Sequence, residues 1–218
     1  MPTLNGQNRD RKEYLMEVTG QGSAEATPDT ALIQLGIVTE AEDVKTAQEE
    51  NKLRLERAVN ALFRQGINKE DIQTISYSIS PKYSFQDGKQ TLVGYEVVNL
   101  ISVKTERLDQ IGAIVDTAVS NGVNRVDRVV FKLENAKPYV EAALQEAVKQ
   151  AYEKAAVLAE SYQVSLNRVP VRVTESSRSF VPYEREGLSL AAAPASSAQV
   201  FPGSLTVSAE VRVHYRYS

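Results

Sequence analysis

A glycine-containing segment, Thr19–Ala31 (TGQGSAEATPDTA), is the first stretch whose residues could do chemistry, because closely spaced glycines occur in phosphate-binding loops. A dinucleotide-binding loop requires GxGxxG between a strand and a helix, and a P-loop requires GxxxxGK followed by Ser or Thr. Here Gly20 and Gly22 lie between two predicted strands, and the third glycine is missing. Pro28 and Asp29 are typical of a turn, so the segment is predicted to shape the backbone and no cofactor is expected.

The single histidine, His214, is the next candidate. It lies on the polar face of a predicted strand between Arg212 and Arg216, and the chain contains no cysteine that could serve as a nucleophile beside it. The lack of cysteine also excludes disulfides and thiolate metal sites, and one histidine leaves a zinc site short of its usual ligands. We interpret His214 as a solvated strand residue and expect no catalytic residue and no metal site.

Acidic residues are clustered near the first predicted helix, at Glu40, Glu42 and Asp43 and again at Glu49 and Glu50. Neighbouring carboxylates could bind a metal ion or act as an acid and base pair. At the N-terminal end of a helix, however, carboxylates stabilise the helix dipole. This structural interpretation is favoured.

The composition is that of a folded protein of 218 residues, 42% of them hydrophobic and 24% charged. With 25 basic and 28 acidic residues the net charge is −3, which argues against a nucleic-acid partner. No apolar stretch approaches the ~20 residues of a transmembrane helix. The N-terminal residues lack the apolar run of a secretory signal. The sequence therefore predicts a cytoplasmic location, or an envelope or periplasmic one if a leader was removed.

Alternating apolar and polar residues predict two long paired strands, Ile75–Phe85 and Leu92–Lys104, joined by a tight turn. A period of two residues indicates one buried and one wet face, so Tyr77, Tyr83 and Tyr95 are interpreted as core residues. This interpretation is favoured over RNA stacking, the other use of tyrosines on strands.

The cleanest alternation is at Leu205–Tyr217, which is predicted to belong to the main sheet. Pro81 cannot donate an amide hydrogen, so its strand is predicted to be an edge strand or to bulge there. Shorter strands are predicted at Tyr14–Gly20, Ala31–Thr39, Val126–Leu133 and Arg168–Thr174.

Three helices fit a period of 3.6 residues. The predicted limits are Asp43 as N-cap and Gly66 as stop for the first, Thr105 to Gly122 for the second, and Pro138 to about Tyr162 for the third. Gly-Ile-Asn follows the first helix and Gly-Val-Asn follows the second, and each leads into a strand. The chain therefore contains two strand-helix-strand repeats.

These elements predict an α+β fold: a mixed, mostly antiparallel sheet with helices packed on one side and two strand-helix-strand repeats. Residues 1–12 are predicted to be a flexible arm, and 13–218 a single domain with a long mobile loop at about 175–203. The predicted structural turn positions are Gly20, Gly22, Pro28, Asp29, Gly66, Gly122, Pro202 and Gly203.

Two features are candidate interaction surfaces. The first is a smooth stripe on the third helix, which a helix or a sheet could approach closely, formed by Ala143, Ala147, Ala151 and Ala155. The second is the loop at 175–203, which is too apolar for an inert linker and could contact a protein partner. Its candidate residues are Phe180, Tyr183, Leu188 and Phe201.

Taken together, these segments resemble the SIMPL-domain family from Tyr14 to Ser218. The most specific pieces are GQGSAEATPD at Gly20–Asp29 and PGSLTVSAEVRV at Pro202–Val213. The resemblance implies a non-enzymatic α+β protein that assembles into homo-oligomers, and the family's YggE-like bacterial members are linked to oxidative stress defence. No catalytic residues are established for the family, so none is carried over. Many bacterial members carry a signal peptide, which this sequence does not show.

The leading hypothesis is a homo-oligomeric structural or interaction protein with a stress-protective role. The alternative is a small-molecule-binding protein or a hydrolase, whose site would be assembled from residues distant in sequence. A deep pocket with perturbed carboxylates would favour that alternative.

Overall fold

The structure is a computed structural model that describes residues 14–86, 88–176 and 202–218. Within these ranges the chain is an α+β protein, as predicted. The strands are β1 Leu15–Ala26, β2 Thr30–Ala41, β3 Ile72–Gln86, β4 Lys89–Thr105, β5 Arg125–Lys132, β6 Leu166–Ser176 and β7 Leu205–Tyr217. The helices are α1 Val44–Arg64, α2 Ile111–Ser120 and α3 Lys137–Ser161, with short 3₁₀ turns at Lys69–Asp71 and Leu108–Gln110.

The strands form two sheets instead of the single sheet predicted. A four-stranded sheet has the order β3-β4-β2-β5, and a three-stranded sheet has the order β1-β7-β6. The prediction that the C-terminal strand belongs to the main sheet is wrong, because β7 lies in the middle of the smaller sheet. Alternation in a sequence identifies a strand and its faces but carries no information about which strands pair.

The described residues separate into two compact units. The central unit consists of Thr27–Glu134 and the terminal unit consists of residues 14–26, 135–176 and 206–218, while Leu205 at the start of β7 is grouped with the central unit. Pro28 and Asp29 occupy the short connection between β1 and β2. The Asp29 amide donates to the Lys132 carbonyl (3.1 Å), and the Asp29 carboxylate accepts from the Glu134 amide (2.8 Å), so this turn is fixed within the central unit.

The central unit is built from the two predicted repeats, β2-α1-β3 and β4-α2-β5. β4 pairs antiparallel with both β2 and β3, and β2 also pairs antiparallel with β5. Each repeat therefore has a strand of the other repeat inserted between its own two strands. This is the split β-α-β arrangement called ferredoxin-like.

Both helices of the central unit pack on one face of its sheet. Alternate residues of β2 and β4 are fully buried against them, while the residues in between face away. The core of this unit contains Ile33, Leu35, Ile37, Leu62, Ile101, Val103, Ile111 and Ile114.

The helix ends follow the predicted signals. The Asp43 carboxylate accepts a hydrogen bond from the Thr46 amide (2.9 Å) at the start of α1. Hydrogen bonding from the Thr46 side chain, with a smaller contribution from its amide, lowers the pKa of Asp43. Gly66 and Gly122 have positive φ values of 90° and 122°. The residue after each glycine donates its amide back to the helix, Ile67 to Leu62 and Val123 to Ala118, both at 3.1 Å. Both helices thus end in the same glycine-dependent motif.

We expect Gly66→Ala and Gly122→Ala to destabilise the central unit to different degrees. Both place a side chain at positive φ, which costs about 1–2 kcal/mol. A Cβ at Gly66 would lie no closer than 3.5 Å to the Arg107 side chain, whereas a Cβ at Gly122 would lie 3.1 Å from the Arg54 carbonyl oxygen. Gly122→Ala should therefore lower the unfolding free energy more. Urea denaturation of both variants tests this, and equal losses would contradict the steric contribution.

In the terminal unit, α3 packs on the three-stranded sheet. The backbone amide of Tyr217 donates to the carbonyl of Tyr14 (3.1 Å), and the Gln21 side chain donates to Glu210 (2.8 Å). These contacts pair the start of β1 with the end of β7, so the two strands run antiparallel. The core contains Met16, Val18, Val211, Val213 and Tyr215 from the strands, together with the alanines of α3.

The predicted turn role of Gly20 and Gly22 is wrong. Both lie inside β1, and neither has a positive φ. They are required for close packing, because a Cβ at Gly20 would lie 1.9 Å from the Ala147 carbonyl oxygen, and one at Gly22 would lie 2.1 Å from that of Ala143. The sequence reveals a need for glycine but not which of its two properties, backbone freedom or lack of a side chain, is being used.

Candidate interaction surface

The alanine stripe of α3 is buried inside the terminal unit. Ala143, Ala147, Ala151 and Ala155 are fully buried, and Gly20 and Gly22 of β1 lie directly against the backbone of the first three. The expectation of close approach by a sheet is confirmed. The stripe is not a surface for a partner, because β1 of the same chain already covers it.

An open groove of about 630 Å³ lies beside this contact, between β1 and α3. Its lining is mainly apolar and comprises Val18, Thr19, Gln150, Glu153, Lys154, Val157 and Leu158. Lys154 donates to the Thr19 carbonyl (2.9 Å), and the Gln21 amide donates to the Gln150 side chain (2.8 Å). Two α3 side chains therefore satisfy backbone groups of β1, which is an edge strand of its sheet.

The apolar face of β3 is exposed, so the prediction that it belongs to the core is wrong. Tyr77 is 49% and Tyr83 46% exposed, and Phe85 is 74% exposed, while Tyr95 on β4 is half-buried. From α1, the Gln48 side chain reaches the Tyr77 hydroxyl (3.2 Å) without covering the ring. The alternating pattern correctly marks an amphipathic strand, but it does not state that the chain itself covers the apolar side. The exposed apolar residues of this hairpin are Ile75, Tyr77, Ile79, Tyr83, Phe85, Leu92 and Val93.

The hairpin also extends past its supporting strand. The pairing of β2 with β4 ends at Ala41 opposite Tyr95, whereas β3 and β4 continue to pair as far as Gln86 opposite Lys89. Among the described residues, the part of the hairpin from Lys82 to Gly94 has no third strand. We call this part the hairpin arm. Isolated two-stranded ribbons are marginal in water, so an exposed apolar arm favours contact with another molecule.

Pro81 lies in an edge strand, as predicted, since β3 is the outermost strand of its sheet. A register shift follows it, between Lys82 and Tyr83. Lys82 forms an ion pair with Glu40 of β2 (2.5 Å) at the base of the hairpin arm.

A second exposed apolar strand was missed by the sequence interpretation. On β6, Val169, Val171 and Val173 are 71%, 45% and 52% exposed. The alternating valines and Pro170 are the signals that could have identified an edge strand with one apolar face.

His214, Lys104 and Tyr215 are ionisable residues that make contacts within the fold. His214 Nε2 lies 3.5 Å from a Glu17 carboxylate oxygen, and Arg212 lies 3.3 Å from the other oxygen, so His214 is half-buried beside an acid instead of free in solvent. The Glu134 carboxylate, hydrogen-bonded to Lys104 (2.7 Å), raises the pKa of that lysine. Burial raises the pKa of Tyr215, with a smaller contribution from Tyr152.

Four further features considered in the sequence are metal ligands, membrane-spanning helices, the turn before β7 and the loop at 175–203. In the part of the chain that the structure describes, no cluster of three or more acidic or histidine side chains is arranged to hold a metal ion. None of the described helices combines the length and apolar character needed to cross a bilayer. Pro202 and Gly203 lie exposed in the irregular stretch before β7. The loop candidates Phe180, Tyr183, Leu188 and Phe201 lie outside the described residues.

Comparison with known proteins shows that the chain matches a protein family. Residues 16–215 match the family model described as SIMPL, a protein of unknown function (DUF541). The 26 kDa periplasmic immunogenic protein of Brucella melitensis is 31% identical over 205 residues, which cover 90% of this chain and 82% of that protein. The uncharacterized protein YggE of Escherichia coli K12 is 28% identical over 151 residues, which cover 69% of this chain and 61% of that protein.

Proposed function

The chain belongs to the SIMPL family, and we propose that it is a homo-oligomeric structural or interaction protein without enzymatic activity that contributes to protection against oxidative stress. The exposed apolar hairpin arm is the observation that carries this proposal. Tyr83, Phe85, Leu92 and Val93 are each at least 46% exposed within a ribbon of two strands. Covering them in an assembly would remove apolar surface from water and support the ribbon at the same time.

An envelope location accompanies this proposal. The Brucella melitensis relative is named as a periplasmic protein, and the match to it covers 90% of this chain. Fractionation of the producing cell, with a cytoplasmic and a periplasmic marker protein as references, tests the location.

The proposed protective role does not use thiol chemistry of the chain's own, because the sequence contains no cysteine. We propose that protection depends on the assembled state. A strain lacking the protein should survive peroxide less well, and a variant that folds but does not assemble should fail to restore survival. Full restoration by such a variant would separate the stress role from assembly.

We expect the full chain to have a native mass that is a multiple of 24.0 kDa. In the triple variant Tyr83→Ser, Phe85→Ser, Leu92→Ser, the mass should fall while unfolding is unchanged, because the altered side chains are exposed in the single chain. Light scattering after size exclusion measures the mass. The matched control is Leu53→Ser, an apolar residue of α1 that is 58% exposed. A monomer at all concentrations of the unaltered chain would refute the proposal.

Binding of a small molecule is a second candidate function, favoured by the groove between β1 and α3. The groove presents apolar Val157 and Leu158 beside the charged side chains of Glu153 and Lys154, so it suits an amphipathic molecule. Displacement of a fluorescent apolar dye by a compound library tests this function. Val157→Arg should abolish the displacement, and dye binding that survives Val157→Arg would place the dye elsewhere.

A further inference from the structure

The outer edge of β3 is the most open strand edge of the four-stranded sheet. Within the described chain, β4 is the strand that pairs with β3, so the backbone groups on the other side of β3 have no strand opposite them. The strand is 15 residues long. A long, exposed edge is a template for pairing with a further strand.

The other sheet edges carry features that block pairing. The edge of β1 is capped by the α3 side chains Gln150 and Lys154. The β5 edge is short, with 8 residues, and is charged. β6 contains Pro170. β3 carries a single charged residue, Lys82, which Glu40 of the same chain already pairs. Charges and proline are the usual means of keeping edges apart, and β3 has Pro81 but almost no charge.

The side-chain pattern of β3 is self-complementary. Every odd-numbered residue from Ile75 to Phe85 is apolar, and every even-numbered residue is serine or Lys82. In an antiparallel pair related by a twofold axis centred on one residue, opposing residues lie equally far before and after that residue, so odd numbers face odd numbers. A second β3 would thus place apolar residues opposite apolar ones and serines opposite serines.

We propose that the outer edge of β3 pairs antiparallel with β3 of a second copy of this chain, joining two four-stranded sheets into one continuous sheet. This inference rests on the proposed self-assembly and names the surface that carries it. The twofold pairing satisfies the outward-facing backbone groups of Ser76–Ser80, which lie between the register shifts at Thr74/Ser76 and Lys82/Tyr83. It also extends the hairpin arm of each copy alongside the partner's strand. It also covers part of the exposed apolar face.

The absence of cysteine makes the register measurable by cross-linking. Residues 76–80 are exposed on the edge strand, and each can be changed singly to cysteine in a chain that has no other thiol. Mild oxidation should give a disulfide-linked dimer for the residue nearest the axis, since only there do the two equivalent residues come within disulfide reach. Lys132→Cys on the exposed β5 edge is the matched control and should remain uncross-linked.

Substitutions of opposite charge at the same position distinguish a loss of strand pairing from a loss of folding. If Ser78 is nearest the axis, Ser78→Glu and Ser78→Lys should each weaken self-association by at least about tenfold, because like charges then face each other. An equal mixture of the two variants should restore association through opposite charges. Recovery in the mixture cannot occur if either variant is misfolded.

The outcomes distinguish this inference from the proposed function. Cross-linking at one position from 76 to 80, together with recovery in the mixture, supports β3 pairing. An oligomer that keeps its mass in both charge variants, and shows no cross-link at any position from 76 to 80, overturns β3 pairing but leaves self-assembly standing. A monomeric unaltered chain overturns both.

Discussion

Gly20→Ala is expected to lower the unfolding free energy of the terminal unit by about 3 kcal/mol or more, the upper end for overpacking of a core. The added Cβ would lie 1.9 Å from the Ala147 carbonyl oxygen and 2.7 Å from the Ala151 backbone nitrogen. These are backbone atoms of α3 and cannot rotate away. The helix must shift from β1 as a whole, which opens the contact that the alanine stripe makes.

Urea denaturation followed by far-UV circular dichroism measures this effect. Gly203→Ala is the matched control, because a Cβ there meets no atom within 4 Å, and it should leave stability unchanged. Combining Gly20→Ala with Ala151→Gly tests the mechanism further. Removing the Ala151 methyl relieves only the third-closest contact, at 2.8 Å, so the double variant should stay unstable. Recovery in the double variant would mean that side-chain crowding, not the helix backbone, sets the distance between α3 and β1.

The helix ends and the repeat were predictable from sequence because their causes are local. Asp43 caps α1 through an amide three residues away, and Gly66 and Gly122 end helices through backbone angles that glycine adopts readily. Signals of this kind depend on neighbours along the chain. The same signals in the two halves indicated two strand-helix-strand repeats, which the sheet order confirms.

The features that could not be predicted depend on contacts between distant segments. Nothing within β1 indicates that Gly20 lies against a helix that begins at Lys137. Likewise, alternation in β3 specifies an apolar face, but whether a helix covers Tyr77 depends on where α1 ends up over the sheet. The exposed hairpin, which is the strongest candidate for function, is therefore the place where the sequence interpretation was wrong.

A buried asparagine on α1 connects the helix to both inner strands of the central sheet. Asn51 is 1% exposed, and its side-chain amide donates to the Ile37 carbonyl of β2 (2.9 Å) and the Val97 carbonyl of β4 (3.2 Å). The hydroxyl of Thr39 lies 3.3 Å from the same nitrogen and donates to the Ala47 carbonyl (2.8 Å). The amide NH₂ is thus the donor on which this network depends.

Asn51→Asp is expected to destabilise the central unit by about 3 kcal/mol or more at neutral pH, the loss typical of an uncompensated buried charge. The carboxylate has almost the same size as the amide, so packing is retained. It cannot donate to the Ile37 and Val97 carbonyls, and its charge faces their oxygens without solvent. Asn121→Asp is the matched control: Asn121 also donates to a carbonyl, that of Thr117 (2.8 Å), but is half-buried, so water can hydrate the charge and the loss should be smaller.

The pH dependence of Asn51→Asp separates a buried charge from a simple packing defect. Burial and the facing carbonyl oxygens raise the pKa of the new carboxyl in the folded state above its unfolded value of about 3.9. Below that unfolded value the group is protonated in both states, and its hydroxyl can donate to one of the carbonyls. As the pH rises, the unfolded state loses the proton first, so stability relative to the unaltered chain falls progressively towards neutral pH. Urea denaturation at several pH values between about 4 and 8 should therefore show a loss that grows with pH. A loss that is the same at every pH would mean that Asn51 contributes through shape alone.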